Sequence, residues 1–192
     1  EKNPNDKIQM SNQAQNPKSK FQMKFGFFSE IKMNKITITA EFNVFETIEE
    51  LPYDIQNLMH EAVAIRKIAY APYSNFEVGT AILLDNREII LGSNQENAAY
   101  PSGLCAERVA IFQAGAIYPE TKILKMAISA ASENSTTSAP IPPCGSCRQS
   151  IAEYEIKQNT PIEIYFMGEI GAIYKSDSLK NLLPLLFDKK FL

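Results

Sequence analysis

The sequence predicts an α/β fold in which helices pack on a layered β-sheet. Strand-type and helix-type apolar patterns alternate from residue 33 onward, and this alternation is typical of α/β domains. The 192 residues are 45% apolar, which is enough for one domain with a hydrophobic core. Residues 1–32 differ from the rest, because they begin with a stretch rich in Asn, Gln, Lys and Ser. We expect a disordered leader or upstream extension over 1–32 and a single domain over 33–192.

The first predicted elements are a strand, a helix and a hairpin. Residues 36–45 alternate between apolar and polar side chains, which indicates a strand with one buried face. After Pro52, apolar residues recur at steps of three and four as far as Ala69, which predicts an amphipathic helix of about 18 residues. Strands at 78–84 and 88–92 follow, and a short polar loop joins them as a hairpin.

Helices and strands continue to alternate in the second half of the chain. A helix is predicted to begin at Cys105 and end near Ala116, and an apolar strand follows at 122–131. A polar loop rich in Ser, Thr and Pro leads to a second helix, from Cys144 to about Ile156. The remaining predicted elements are strands at 162–167 and 172–175 and a short helix at 178–183, which Pro184 stops.

Charge and composition argue against several classes of partner. The net charge is −3, whereas a nucleic-acid-binding surface is usually basic. No apolar run approaches the length of a membrane span, and no export signal is visible. Three cysteines are an odd number, so they cannot form a complete intramolecular disulfide framework. We therefore expect a reduced, cytoplasmic protein with no nucleic-acid or membrane partner.

The three cysteines form a candidate metal site. A structural zinc usually has four protein ligands, whereas a catalytic zinc keeps three and leaves the fourth position to water. Cys144 and Cys147 form a C-x-x-C, and Glu107 lies two residues after Cys105. This pattern favours a catalytic zinc bound by three thiolates, with Glu107 as the proton carrier for the water. Both motifs fall where a loop meets a helix N-terminus, which lowers the pKa of a thiol.

Other readings of the cysteines remain open. They could form a closed structural zinc site, or they could be three unrelated buried thiols. The only histidine, His60, lies on a distant predicted helix, where we expect a partly exposed side chain rather than a ligand. Three thiolates give the centre a net negative charge, which weakens the zinc ion as a Lewis acid. A cation that donates hydrogen bonds to the thiolates would restore part of this Lewis acidity. Arg108 and Arg148 each neighbour a cysteine, and we favour Arg108 for this supporting role.

Four separated motifs resemble those of the cytidine deaminase family, zinc enzymes that act on free nucleosides. C-A-E-R at 105–108, with P-C-G-S-C-R-Q at 143–149, resembles the zinc motif of the family. The stretches at 71–79 and 94–100 are similar to its A-P-Y-S-x-F-x-V-G and N-x-E-N-A-x-Y, and the stretch at 182–187 is similar to its C-terminal L-L-P…F. The resemblance covers about residues 52 to 188 and is specific, because the motifs occur in the family order.

The resemblance implies a fold and a reaction. The expected fold is a three-layer α-β-α arrangement around a mixed five-stranded sheet, to which this chain adds an N-terminal strand. The expected reaction is hydrolysis of cytidine and deoxycytidine to uridine and deoxyuridine with release of ammonia, in pyrimidine salvage. One Zn²⁺ per chain and a homotetramer with shared active sites are also implied.

The resemblance assigns roles to individual residues. Cys105, Cys144 and Cys147 would bind zinc, and Glu107 would transfer protons to the pyrimidine N3 and to the leaving amine. The implied substrate contacts are the backbone N–H of Ala106 with the O2 carbonyl, Asn94 and Glu96 with the sugar 3′-OH, Phe76 and Tyr100 near the bound nucleoside, and Phe187 from a neighbouring subunit. Two residues near the site depart from the family pattern, namely Gln95 in place of an apolar residue and Thr80 in place of alanine.

Three alternatives compete with this interpretation. A nucleoside-antibiotic deaminase shares the zinc motif but lacks the Asn-x-Glu sugar pair, which is present here. A deaminase of RNA or DNA bases usually has histidine as its first ligand and a basic surface. A zinc-stabilised binding module without activity predicts that Glu107 is dispensable.

Overall fold

The computed structural model describes residues 33–192, and Thr37–Leu192 form one compact unit. The predicted leader, residues 1–32, lies outside the described residues. The assignment of 33–192 to a single catalytic domain stays a prediction. Within the described residues, none of the helices combines the length and the apolar character that a bilayer crossing requires.

The compact unit is built on a mixed sheet of six strands. The strands are β1 (Asn43–Phe45), β2 (Phe76–Leu84), β3 (Ile89–Ser93), β4 (Ile123–Ser132), β5 (Glu163–Met167) and β6 (Ile173–Ser176). They lie in the order β1-β6-β5-β4-β2-β3. Strands β4 and β5 are parallel, and all other neighbours are antiparallel. The predicted α/β class is confirmed, with five strands and an additional N-terminal strand at the edge.

Three helices cover the sheet and produce three layers. They are α1 (Tyr53–Arg66), α2 (Ala106–Ile117) and α3 (Gly145–Gln158). Helix α1 packs on one face, where Ala127 of β4 belongs to its core. Helices α2 and α3 pack on the other face, with Met126 and Ile128 of the same strand. This alternation follows the strand period of two and gives each face its own core. The two helices that begin at the cysteines therefore share one face.

The N-terminal strand is shorter than the alternating pattern predicts. The prediction covered residues 36–45, but only Asn43–Phe45 pair with β6. The predicted buried face was also wrong, because Ile38 and Val44 are 49% and 50% exposed. Alternation shows that a segment can form a strand, but pairing needs an available partner, and β6 has only four residues.

Helix α1 ends earlier than its apolar spacing predicts. The pattern continued to Ala69, whereas the helix ends at Arg66. Beyond it, the N–H of Lys67 bonds the carbonyl of Ala64, three residues back, which tightens the last turn. The N–H of Tyr70 then donates to the carbonyl of Asn94 at 3.0 Å. The N–H of Tyr70 thus pairs with the carbonyl of the residue that follows β3, instead of with a carbonyl one helical turn back.

Candidate active site

The three cysteine thiols meet where α2 and α3 begin. Cys105 is the N-cap of α2 and Cys144 the N-cap of α3, while Cys147 lies in the first turn of α3. The sulfur of Cys144 is 3.8 Å from that of Cys105 and 3.5 Å from that of Cys147. All three sulfur atoms lie within 4.8 Å of one another. The structure thus assembles the three cysteines, and exposed His60 on α1 is not part of this group.

This geometry fits a zinc ion. Zinc–sulfur bonds are about 2.3 Å long and tetrahedral in direction, so two sulfur ligands of one zinc lie about 3.8 Å apart. The shortest sulfur–sulfur distances here are close to that spacing. Three thiols leave one tetrahedral position for a ligand from outside the protein, which is the arrangement of a catalytic centre.

A close approach of backbone holds α2 over the sheet. A Cβ atom on Gly92 of β3 would lie 2.6 Å from the carbonyl oxygen of Ala106 and 2.6 Å from the nitrogen of Ala110. Only glycine leaves room for the first turn of α2 at this point of the strand. The glycine therefore sets the height of Cys105 and Glu107 above the sheet.

The thiols influence one another's ionisation. A hydrogen bond from the Cys147 thiol is the main cause that lowers the pKa of Cys105 to about 6, and the charge of Arg108 lowers it further. The same hydrogen bond and burial raise the pKa of Cys147. In this group one thiolate is stabilised by protons that its neighbours retain. A divalent cation would replace those protons and allow all three sulfurs to ionise.

Glu107 lies buried beside the thiols. It is the second residue of α2 and only 4% exposed. Burial raises its pKa to about 7, and the charge of Cys105 adds to this effect against an opposing backbone hydrogen bond. A carboxyl group with a pKa near neutrality can both accept and donate a proton, as general acid–base catalysis requires.

A cavity of about 430 Å³ reaches this centre. It is lined by Tyr73, Ser74, Asn94, Gln95, Glu96, Asn97, Tyr100, Gly103, Leu104 and Cys105. The cavity thus brings together one member of the cysteine group, Cys105, and three of the predicted substrate contacts, Asn94, Glu96 and Tyr100. A nucleoside-sized ligand fits a cavity of this volume.

The predicted sugar-binding pair is held by bonds to strand β2 and the turn before it. The Asn94 carboxamide accepts from the N–H of Val78 at 2.8 Å and donates to the carbonyl of Phe76 at 2.9 Å. The Glu96 carboxylate accepts from the N–H of Tyr73 at 2.8 Å, and from the N–H and hydroxyl of Ser74. The Ser74 hydroxyl and then the Tyr73 N–H lower the pKa of Glu96.

The other predicted contacts lie in different places. Ala106 is buried at the start of α2, and Phe76 is half-buried at the start of β2. Tyr100 is 78% exposed, and its ring meets that of Tyr73 edge-on at 6.3 Å between centroids. Phe187 is 58% exposed and stacks on Phe191, and it is not among the residues that line the cavity.

The two arginines make different contacts. The Arg108 guanidinium lies over the ring of Phe112, 5.7 Å from its centroid. Among the hydrogen bonds of the described residues, none joins Arg108 to a thiol, so its influence on Cys105 is through charge. Arg148 donates instead to two carbonyl groups, those of Pro143 and Leu182.

Sequence reasoning missed Ser74 as part of the site. Its hydroxyl is one of the partners of Glu96, and its side chain lines the cavity. A signal was available, because residues 71–75 begin with an Ala-Pro pair and end with Asn75, and Asn tolerates the left-handed conformation that it has here, with a φ of 53°. A turn that needs this left-handed conformation folds back on its neighbours and presents side chains at its tip.

Comparison with known proteins identifies the family. Residues 52–160 match the family model described as the cytidine and deoxycytidylate deaminase zinc-binding region. The chain belongs to this family. It is 38% identical over 134 residues to a cytidine deaminase of Halalkalibacterium halodurans, and the aligned residues cover 70% of this chain and 94% of that protein. It is 37% identical over 137 residues to a cytidine deaminase of Sporosarcina psychrophila, and the aligned residues cover 71% of this chain and 93% of that protein.

Solved cytidine deaminases have the same fold. The structure from Burkholderia pseudomallei is 33% identical, with a TM-score of 0.60 over 71% of this chain and 100% of the other. The structure from Mycobacterium tuberculosis is 28% identical, with a TM-score of 0.55 over 71% and 99% of the two chains. As a member of the cytidine deaminase family, the chain is a zinc-dependent hydrolase that deaminates cytidine, and its cysteine group could hold the metal ion.

Proposed function

We propose that this chain hydrolyses both cytidine and 2′-deoxycytidine, to uridine and deoxyuridine, with release of ammonia in pyrimidine salvage. One observation carries the proposal, namely a buried glutamate with a pKa of about 7 beside three thiols that fit a zinc ion. Zinc bound there supplies a Lewis acid that makes water nucleophilic at neutral pH. The residues of the chain must then move protons, orient the pyrimidine and bind the sugar.

Glu107 is the proposed proton carrier. Its carboxylate takes a proton from the attacking water and gives it to the pyrimidine N3 as the C4–O bond forms. It then carries the second proton to the exocyclic amine, which leaves as ammonia when the C4–N bond breaks. Burial supports this role, because a pKa near neutrality makes both protonation states available at low cost.

The start of α2 is proposed to orient the base. Ala106 is the first residue of that helix, and the first N–H groups of a helix have no partner within it. We assign the N–H of Ala106 as the donor to the O2 carbonyl of the pyrimidine. A half-buried Phe76 would pack near the ring.

Asn94 and Glu96 are the proposed sugar contacts. Glu96 uses three of its roughly four acceptor positions on Tyr73 and Ser74, so about one acceptor position remains. The carboxamide of Asn94 keeps one further N–H beyond its bond to Phe76. One sugar hydroxyl could donate to Glu96 and accept from Asn94, and this pairing supports the assignment to the 3′-OH.

The lining of the cavity favours a nucleoside over a nucleotide. None of the described residues that line it is a lysine or an arginine, and Glu96 carries a negative charge. A phosphate group would meet repulsion there rather than a paired cation. We therefore propose free nucleosides as substrates, and no nucleic-acid partner. We also propose that the protein is cytoplasmic.

A neighbouring subunit is proposed to complete each site. Tyr100 and Phe187 are aromatic, largely exposed and available for contact with a second chain. We propose a homotetramer in which Phe187 of one subunit faces the nucleoside bound by another. Arg108 would support the metal centre through its charge.

A substrate panel tests the proposed function. Ammonia release should be fast with cytidine and deoxycytidine, and much slower with cytosine, CMP and blasticidin S. Blasticidin S as the preferred substrate would support the nucleoside-antibiotic deaminase, and CMP as the preferred substrate would refute the argument from cavity charge. Metal analysis of the same protein should give one zinc per chain.

A further inference from the structure

Arg148 makes three hydrogen bonds, two of them to residues 143–144, which we call the metal-binding loop. It belongs to the first turn of α3 and directly follows Cys147. Its backbone N–H donates to the carbonyl of Cys144 at 2.9 Å. Its side-chain Nε donates to the carbonyl of Pro143 at 2.8 Å. The guanidinium also donates, through Nη1, to the carbonyl of Leu182 at 2.9 Å.

Two of these contacts bracket a metal ligand. The carbonyl of Pro143 belongs to the peptide plane before Cys144, and the carbonyl of Cys144 belongs to the plane after it. Arg148 therefore holds both planes and fixes the extended backbone of Cys144, which has φ −67° and ψ 169°. That backbone sets the direction of the Cα–Cβ bond of Cys144 and so limits the positions that its thiol can take. Cys144 is itself exposed, so little packing from its own side chain could replace this support.

The third contact joins the loop to the C-terminal segment. We use this name for residues 182–192. Leu182 is buried in the core beside α3, and its carbonyl accepts the guanidinium bond. The next residue of α3, Gln149, donates from its side chain to the carbonyl of Phe187 at 2.9 Å. Consecutive residues of α3 thus hold two points of the C-terminal segment, and of these two residues Arg148 also holds the metal-binding loop.

We propose that Arg148 is a positioning residue for the zinc centre and couples that centre to the C-terminal segment. A guanidinium has donors on separate nitrogens in a rigid plane, so it can hold two carbonyl groups in a fixed relation. A ligand geometry that depends on the segment implies the reverse dependence, because coupling between two sites is reciprocal. Zinc binding should therefore stabilise the C-terminal segment, although none of its residues is a ligand. The inference rests on the zinc centre and is independent of which nucleoside is the substrate.

Zinc release measures the positioning role. Arg148→Met keeps most of the side-chain stem and removes both side-chain bonds, and Arg148→Lys keeps the charge without the planar pair of donors. We expect both variants to release zinc to a chelating dye at least about tenfold faster than the parent, as found when partners that orient metal ligands are lost. Ile151→Val, buried in the same helix, is the control for a simple loss of stability. It should release zinc at the parental rate.

Hydrogen exchange measures the coupling. In the parent, zinc should slow amide exchange in residues 182–192 relative to the metal-free protein, and Arg148→Met should remove this difference. Gln149→Met is the matched variant, since it frees the segment at Phe187 without touching Pro143, and it should leave zinc release unchanged.

Two results would overturn the proposal. One is zinc release from both Arg148 variants within twofold of the parent. The other is exchange in residues 182–192 that zinc does not change in the parent. If Arg148→Met does not fold, Arg148→Lys carries both measurements. A protein that binds zinc as expected but deaminates no nucleoside would refute the proposed function and leave this test intact.

Discussion

Two glutamates of the candidate active site have opposite electrostatic environments. Burial raises the pKa of Glu107 to about 7, so its proton can move at neutral pH. The hydroxyl of Ser74 and the N–H of Tyr73 lower the pKa of Glu96, so that residue stays ionised and accepts hydrogen bonds. Two carboxyl groups whose pKa values diverge in this way suit the two tasks proposed for them, proton transfer for Glu107 and ligand binding for Glu96.

Replacement of the buried carboxylate tests the proton-transfer role. Glu107→Gln keeps the shape of the side chain but cannot accept and return a proton. We expect a loss of roughly 10²–10⁴-fold in kcat, with zinc content and fold unchanged. Steady-state ammonia release and metal analysis on the same preparation provide the measurement. Activity within tenfold of the parent would remove Glu107 from the proton-transfer role, and a parent that binds zinc but releases no ammonia would favour a zinc-stabilised binding module.

The sugar-binding assignment predicts a selective loss. Glu96→Ala should cost about 1–3 kcal/mol in transition-state binding of cytidine, because a sugar hydroxyl loses its partner. Free cytosine has no sugar, so its slow reaction should change little. Ser74→Ala is the graded comparison, since it removes one partner of Glu96 but leaves the carboxylate in place, and it should cost less than Glu96→Ala. An equal loss of kcat/KM on cytidine and cytosine would remove the assignment.

At the residue scale, the sequence predicted the chemical groups better than their partners. The cysteine spacing and Glu107 stand in local motifs, and the structure brings them together. The bond between Arg148 and Leu182 joins residues 34 positions apart. No local pattern in the sequence encodes such a pair, because it depends on how the C-terminal segment packs against α3.

At the scale of elements, local signals located helix starts well and strand ends less well. Helices were predicted to begin at Cys105 and Cys144, and these residues are the N-caps of α2 and α3. Helix starts depend on the first few residues of the helix itself. The extent of β1 depends on how much of β6 is available, and alternation in residues 36–45 contains no information about that partner.

The approach of α2 to the sheet gives a prediction at this scale. Gly92→Ala places a Cβ against the backbone of Ala106 and Ala110, so α2 must move. We expect a loss of about 1–3 kcal/mol in the free energy of unfolding and reduced activity, because the first turn of α2 contains Glu107. Gly145→Ala is the control, since a Cβ there meets no atom within 4 Å and its effect on stability should stay within about 0.5 kcal/mol. Equal unfolding midpoints in denaturant would contradict the close-packing argument.

At the scale of the whole molecule, the C-terminal segment exposes apolar surface. Leu185, Phe187, Phe191 and Leu192 are all largely exposed, and the rings of Phe187 and Phe191 stack at 5.7 Å between centroids. Contiguous exposed apolar side chains are typical of an interface, and closed symmetric assemblies are the commonest way to cover them.

The assembly prediction concerns Phe187 and the shared site. If the ring of Phe187 packs against a base bound in a neighbouring subunit, Phe187→Ala removes an aromatic contact of about 0.5–1.5 kcal/mol, which corresponds to a roughly two- to tenfold rise in KM for cytidine. Zinc content should not change, because the ring does not reach the cysteine group of its own chain. Leu185→Ala, on the same exposed segment, is the control and should leave KM unchanged.

Light scattering at assay concentration should give a tetramer. A fully active monomer would contradict the shared site, and a variant that only loses stability would place Phe187 in the packing of its own subunit.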